Sequence, residues 1–104
     1  MIAASFQKRD GVLFAVQVSG HAEYADPGED IVCAAVSSAV QLTANLMTEW
    51  FSISAQVSAK GDTIRIRQND TNPQGGLLLA GLHEHLQAIS QEYAGTIKIM
   101  ITEV

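Results

Sequence analysis

Cys33 is the one cysteine among 104 residues, and His21 precedes it by twelve positions. A thiolate attacks a carbonyl where a thiol hardly does, so a nucleophilic cysteine needs a partner to take its proton. Imidazole is the usual partner, as a base beside the thiol and then as the acid that protonates a leaving amine. Asp30 stands three residues before the cysteine. It serves either as the cap of a helix or as the group that orients the imidazole. The cap is favoured, because both tasks draw on the same carboxylate oxygens. A lone cysteine in Ile-Val-Cys-Ala-Ala-Val is ordinarily a small core residue, and a lone histidine beside a glycine is ordinarily a polar loop residue. Only their joint pattern points to chemistry.

The elements around these residues follow from periodicity. Residues 2–7 and 12–19 read as strands joined through Lys8-Arg9-Asp10-Gly11, whose Asp-Gly pair signals a tight turn. In the second strand Val12, Phe14, Val16 and Val18 alternate as the expected core face. Residues 20–30 hold Gly20, Pro27 and Gly28, show no period and read as a loop, long enough to fold back and bring His21 to Cys33. A helix is predicted over 31–51 with Asp30 as its N-cap. Val32, Val36, Ala39, Val40, Leu46, Met47 and Trp50 form its apolar side, and much of its girth is apolar. That start places Cys33 in the first turn, where free amides and the helix dipole favour negative charge on sulfur and could steady an oxyanion.

A second hairpin, 53–59 and 63–68, turns at Lys60-Gly61-Asp62. Asn69 to Gln74 reads as a turn, and a second helix is predicted from about 75 to 93. Its stripe is Leu79, Leu82, Leu86, Ile89 and Tyr93, and Gly95 stands as its stop signal. Gly81 inside that helix suggests the close approach of another element. The last strand, 96–103, places Ile97, Ile99 and Ile101 on one face. The order ββαββαβ predicts an α+β sandwich, a mixed five-stranded sheet with two helices packed on one face, as a single domain over 1–104.

Composition narrows the function. Hydrophobic residues are 47% of the chain and the net charge is −5, which argues for a packed core and against disorder. Lys8, Arg9, Lys60, Arg65, Arg67 and Lys98 are scattered along the chain. No dense basic patch is visible, so no direct nucleic-acid contact is expected. The acidic balance suits a cationic partner or simply keeps the protein soluble. One cysteine allows no internal disulfide. No signal peptide is read, and no apolar run approaching a membrane span, so the expected location is cytoplasmic, where the thiol stays reduced. His83 and His85 lie two apart on the second helix and point to different faces, so they are read as surface residues and no metal site is expected.

The block Gly20-His21-Ala22, Tyr24-Ala25 and Gly28-Glu29-Asp30-Ile31-Val32-Cys33-Ala34-Ala35-Val36-Ser37 resembles the signature of the bacterial ribosomal-processing cysteine proteases. The element order fits that family over nearly the whole chain. The resemblance implies a cysteine endopeptidase that removes the N-terminal extension of a large-subunit ribosomal protein, the twenty-seventh in the usual count. It implies Cys33 as nucleophile and His21 as base, with Asp30 in support. A substrate loop carrying Gly20, Tyr24 and Gly28 would close over an extended peptide. It further implies a homodimer; no cofactor is expected. The competing readings are a non-enzymatic ribosome-assembly accessory protein and a thiol-redox protein. The second is disfavoured by the lack of a resolving cysteine.

Overall fold

The computed structural model describes the backbone of residues 1–20 and 27–104 and the side chains of 1–20 and 31–104. Strands β1 (Ile2–Arg9) and β2 (Val12–Ser19) form a hairpin, followed by helix α1 (Pro27–Asn45), which runs into a π-helical turn, Leu46–Trp50. A second hairpin, β3 (Ala55–Lys60) and β4 (Thr63–Gln68), leads to helix α2 (Pro73–Glu92) and strand β5 (Ile97–Glu103). The sheet order is β3-β4-β2-β1-β5. The β1–β5 pair is parallel and the other pairs are antiparallel. The expected ββαββαβ order and α+β sandwich are both present.

Ile2, Ala4 and Phe6 of β1 and Val16 and Val18 of β2 close against Val32, Val36, Val40, Ala44 and Met47 of the first helical segment. Leu79, Leu82, Leu86 and Ile89 of α2 complete the same core. Phe6, Val16, Val40, Met47, Leu79 and Leu86 are fully buried. Burying a side chain of this size stabilises the fold by roughly 1.5–3 kcal/mol.

Several local expectations change. Asp10 and Gly11 both have positive φ, at 54° and 78°, so the first hairpin makes the mirror-image turn that Asp-Gly favours. Just beyond it, Gln7 pairs with Ala15 but Lys8 pairs with Leu13. Phe14 is therefore the extra residue of a β-bulge. The bulge takes it off the expected core face, so Leu13 joins the core in its place. The Arg9 guanidinium lies 4.3 Å from the Phe14 ring centre and that of Arg67 lies 5.4 Å away.

Trp50 was expected on the core stripe and is instead 80% exposed. The wider π-helical turn, closed by Phe51 N–H donating to the Leu46 carbonyl at 2.9 Å, rotates it off the stripe while Met47 stays inside. Helix α2 starts two residues earlier than expected. Asn72 caps it, its Oδ1 accepting from the Gln74 N–H at 2.8 Å, and Pro73 fills the first position, where a missing N–H costs nothing. Gly81 is not a point of close approach: it is exposed, and a Cβ there would meet nothing within 4 Å. The crowded glycines are Gly75 and Gly76, where a Cβ would meet Gln68 and Val12. His83 is not a surface residue either. It is half-buried, its ring edge-on to Phe6 at 5.1 Å.

The reading that no apolar run approaches a membrane span also needs correction. Ile31–Trp50 is a helical stretch of 20 residues with mean hydropathy 1.5, long and apolar enough to cross a bilayer by length and composition. Its stripe from Val32 to Met47 is closed against the sheet, which is how the core helix of a sandwich uses such a composition.

Candidate active site

Helix α1 opens at Pro27, a residue whose fixed φ and missing N–H suit the first helical position. This shifts the start four residues ahead of the prediction. Asp30 is a backbone member of the first turn and not the N-cap. Gly28 belongs to the same turn and not to the loop. The first-turn amides without an intrahelical acceptor are those of Gly28 and Glu29. Cys33 sits in the second turn. Helical side chains lean toward the N-terminus, so the thiol is carried back toward those amides. His21 and Tyr24 lie outside the described residues.

Cys33 is half-buried. One side of it packs against the core, and it also lines a pocket of about 380 Å³. The pocket is assembled from four places in the chain: Ile2 at the start of β1, Val18 and Gly20 at the end of β2, Cys33 and Ser37 on α1, and Asp62 in the β3–β4 turn. Its apolar walls would exclude water from a scissile bond, while the hydroxyl and carboxylate add polar contacts. The sulfur is thus on a cavity wall and is not sealed inside the hydrocarbon core.

Gly20 is fixed in place by its surroundings. Its φ is +86°, and a Cβ there would lie 2.5 Å from the Met1 carbonyl oxygen. The chain therefore leaves β2 pressed against the start of β1, and β1 is itself tied to β5 by Ile2 N–H donating to the Thr96 carbonyl at 3.0 Å. Gly20, the residue before His21, shares the pocket wall with Cys33.

Two lining residues were not singled out from sequence. Ser37 was legible, since it stands one helical turn after Cys33 and on the same face. Asp62 was not, because only the pairing of β3 with β4 and of β4 with β2 carries that turn to the cysteine. Among the described residues no group of three or more His, Cys, Asp or Glu side chains is placed to hold a metal ion.

A helix-borne thiol on a pocket wall, close to free first-turn amides, is an arrangement that suits a thiol hydrolase, an enzyme that attacks a carbonyl through sulfur. A model of the cysteine protease Prp family matches residues 1–98, and the chain belongs to that family. It is a cysteine protease of the ribosomal-processing class.

Solved structures agree. The chain is 28% identical to the essential ribosomal processing protease Prp from S. aureus in complex with a substrate peptide, with TM-score 0.89 over 98% of this chain and 100% of that one. It is 29% identical to the same S. aureus protease in complex with a covalently linked product peptide, with TM-score 0.87 and the same coverage. SMU.848 from Streptococcus mutans is 25% identical, with TM-score 0.83 over 100% of this chain and 96% of that one. Comparison with curated protein sequences finds no match.

Proposed function

We propose that this protease removes the N-terminal extension of the twenty-seventh large-subunit ribosomal protein, with Cys33 as nucleophile and His21 as base. The observation that carries the reading is the half-buried Cys33 on the wall of a pocket that also includes Gly20, the residue before His21. The covalently linked product peptide on the S. aureus enzyme supports a covalent route.

In the proposed route, His21 takes the thiol proton and Sγ bonds to the scissile carbonyl carbon. The C–N bond then breaks, and the amine leaves with the proton held by His21. Water, deprotonated by His21, cleaves the thioester and returns a carboxylate and the thiol. The free amides of the first turn of α1 stabilise the oxyanion in both steps. With the cap role excluded by the helix start at Pro27, Asp30 is proposed to orient His21. Tyr24 and the segment after Gly20 would lie over the bound peptide.

We also propose a cytoplasmic location and a homodimer, the latter supported by exposed Leu42 and Leu77, which line one apolar groove between the helices that a second copy would cover.

The test is cleavage of the extended ribosomal protein, with the cut position read by mass spectrometry. Cys33→Ser should lose cleavage at unchanged thermal stability. A Cys33→Ser enzyme that retains full cleavage would falsify the nucleophile assignment. Cleavage of other peptides with the extension left intact would overturn the substrate and leave the nucleophile standing.

A further inference from the structure

The six basic residues look scattered in sequence, but the fold gathers most of them. Register places Ser58, Arg65, Gln17, Ser5 and Met100 in one row across all five strands. The next row is Gln56, Arg67, Ala15, Gln7 and Thr102. Alternation turns both rows away from the helices, because the neighbouring positions Ile66, Val16 and Phe6 are buried in the core. Lys98, two residues before Met100 on β5, faces the same way. The bulge brings Phe14 to this side, and with it the Arg9 guanidinium at 4.3 Å.

The face therefore carries Arg9, Arg65, Arg67 and Lys98, and none of the described acidic residues. Asp10 and Asp62 are in hairpin turns, Asp70 follows β4, Glu49 is in the π-helical turn, and Glu84 and Glu92 are on α2. Glu103 alternates to the helix side of β5. A chain of net charge −5 has thus separated its charges, placing the carboxylates at the turns and on the helix side and the cations on the open sheet. Arg65 and Arg67 stand two residues apart on β4, and no described carboxylate shares their face.

Between them lies a depression of about 300 Å³ lined by Ser5, Gln7, Gln17, Arg65, Arg67 and Thr102. Arg65 is held in place there, its Nε donating to Gln17 Oε1 at 3.1 Å and its Nη2 to the same oxygen. A pre-held guanidinium loses less side-chain entropy when it binds an anion.

We propose that this open sheet face binds the phosphate backbone of structured RNA. The cations are spread over three strands, Arg65 and Arg67 on β4, Arg9 on β1 and Lys98 on β5, which matches an extended polyanion better than a single carboxylate. The hydroxyls and amides of Ser5, Ser58, Gln7, Gln17, Gln56 and Thr102 can both donate to and accept from a ribose 2′-OH. Among the described residues the one aromatic ring on the face, Phe14, is 1% exposed. It is not available to stack bases, so single-strand stacking is not the mode. A second copy is disfavoured by like charge meeting like charge. An acidic peptide would lack an apolar anchor, since Met100 at the edge is the one large exposed hydrophobic among the described residues of this face. At physiological salt the Debye length is about 8 Å, so the helix-side carboxylates act weakly on a ligand at this face. The inference does not rest on the proposed cleavage substrate.

The experiment is fluorescence anisotropy on the full chain with a 20-base-pair RNA hairpin, the matching DNA hairpin and a Glu-rich peptide as probes. The RNA hairpin should bind with a log K against log salt slope of about −2 to −4, as for roughly three phosphate contacts. Arg65→Gln/Arg67→Gln should weaken binding about tenfold or more and flatten the slope by about 2, with peptide cleavage unchanged. Arg67 covers Phe14, so Lys98→Gln, at an exposed edge-strand position, is the independent check. It should flatten the slope by about 1. Absence of RNA binding at about 50 mM salt, or wild-type binding by both variants, overturns the proposal. Equal or tighter binding of the Glu-rich peptide reassigns the face to acidic proteins, and equal binding of DNA removes the RNA preference.

Discussion

Replacing Gly20 by alanine tests how the pocket is built. Two costs add at this position. A non-glycine residue at φ near +86° is disfavoured by about 1–2 kcal/mol. The new Cβ would also stand 2.5 Å from the Met1 carbonyl oxygen. That oxygen is main chain and cannot swing aside, because the next residue is held by the 3.0 Å bond from Ile2 N–H to Thr96. Forcing a backbone shift of this kind costs about 1–3 kcal/mol.

Gly95 supplies the control. It has nearly the same dihedral, +80°, but nothing within 4 Å of its added Cβ. Gly95→Ala meets only the first cost, and the unfolded-state effect of Gly→Ala is the same in both variants. The difference isolates the contact with Met1. At about 4–8 °C per kcal/mol for a domain of this size, Gly20→Ala should melt roughly 5–20 °C below Gly95→Ala by circular dichroism. It should also lose peptide cleavage at a temperature where both are folded, because the strand end it displaces lines the Cys33 pocket. Equal melting temperatures would show that β2 does not leave the sheet pressed against Met1, and the account of the pocket wall would fail.

Further expectations follow from the site and the surface. His21→Ala should lose most turnover and the acid limb of the pH–rate profile, and normal activity near neutral pH would reassign the base. Asp30→Asn should lower kcat without lowering the melting temperature if Asp30 orients the imidazole, whereas unchanged kcat removes that role. Leu42→Glu/Leu77→Glu should shift the sedimentation coefficient from dimer to monomer, and an unchanged value would place the subunit contact elsewhere.

What could be read from sequence depended on whether the cause was local. Element order was legible, because Asp10-Gly11, Gly61-Asp62 and the spacing of Leu79, Leu82, Leu86 and Ile89 are short-range signals. The start of α1 was misread because Asp30 has N-cap chemistry. Pro27, three residues earlier, was the competing start signal, and it is the one the fold uses. The bulge at Phe14 could not be seen in an alternating run, since the register slip is decided by the partner strand. The same limit applies to Asp62 and to the cationic sheet face. Both are made by strand pairing between distant segments, so neither leaves a linear motif. Cys33, His21 and Asp30 stood out because they fall in one linear block, residues 21–33, whose residue types can be read without knowing any strand pairing.

Helix α2 offers two glycines at which one substitution should act in opposite directions. Inside a helix Gly→Ala ordinarily stabilises by about 0.8–1 kcal/mol, since alanine is the better helix former. At Gly81 the added Cβ meets nothing within 4 Å, so that gain should appear in full. Gly81→Ala should raise the melting temperature by about 4–8 °C and leave cleavage unaltered, as residue 81 does not line the Cys33 pocket. At Gly76 the Cβ would lie 2.6 Å from Val12 Cγ1 and 3.4 Å from the Leu13 carbonyl oxygen, beside the bulge that packs β2 beneath this helix. Val12 can escape only by a rotamer or backbone change at the hairpin end, at a cost of about 1–3 kcal/mol. That cost exceeds the helical gain, so Gly76→Ala should melt below wild type. If both variants are stabilised by the same amount, α2 does not approach β2 as closely as the packing at Gly76 requires. If both are destabilised, Gly81 has a neighbour in solution, and the groove between the two helices, which Leu42, Leu77 and Gly81 line, is where a second copy would supply it.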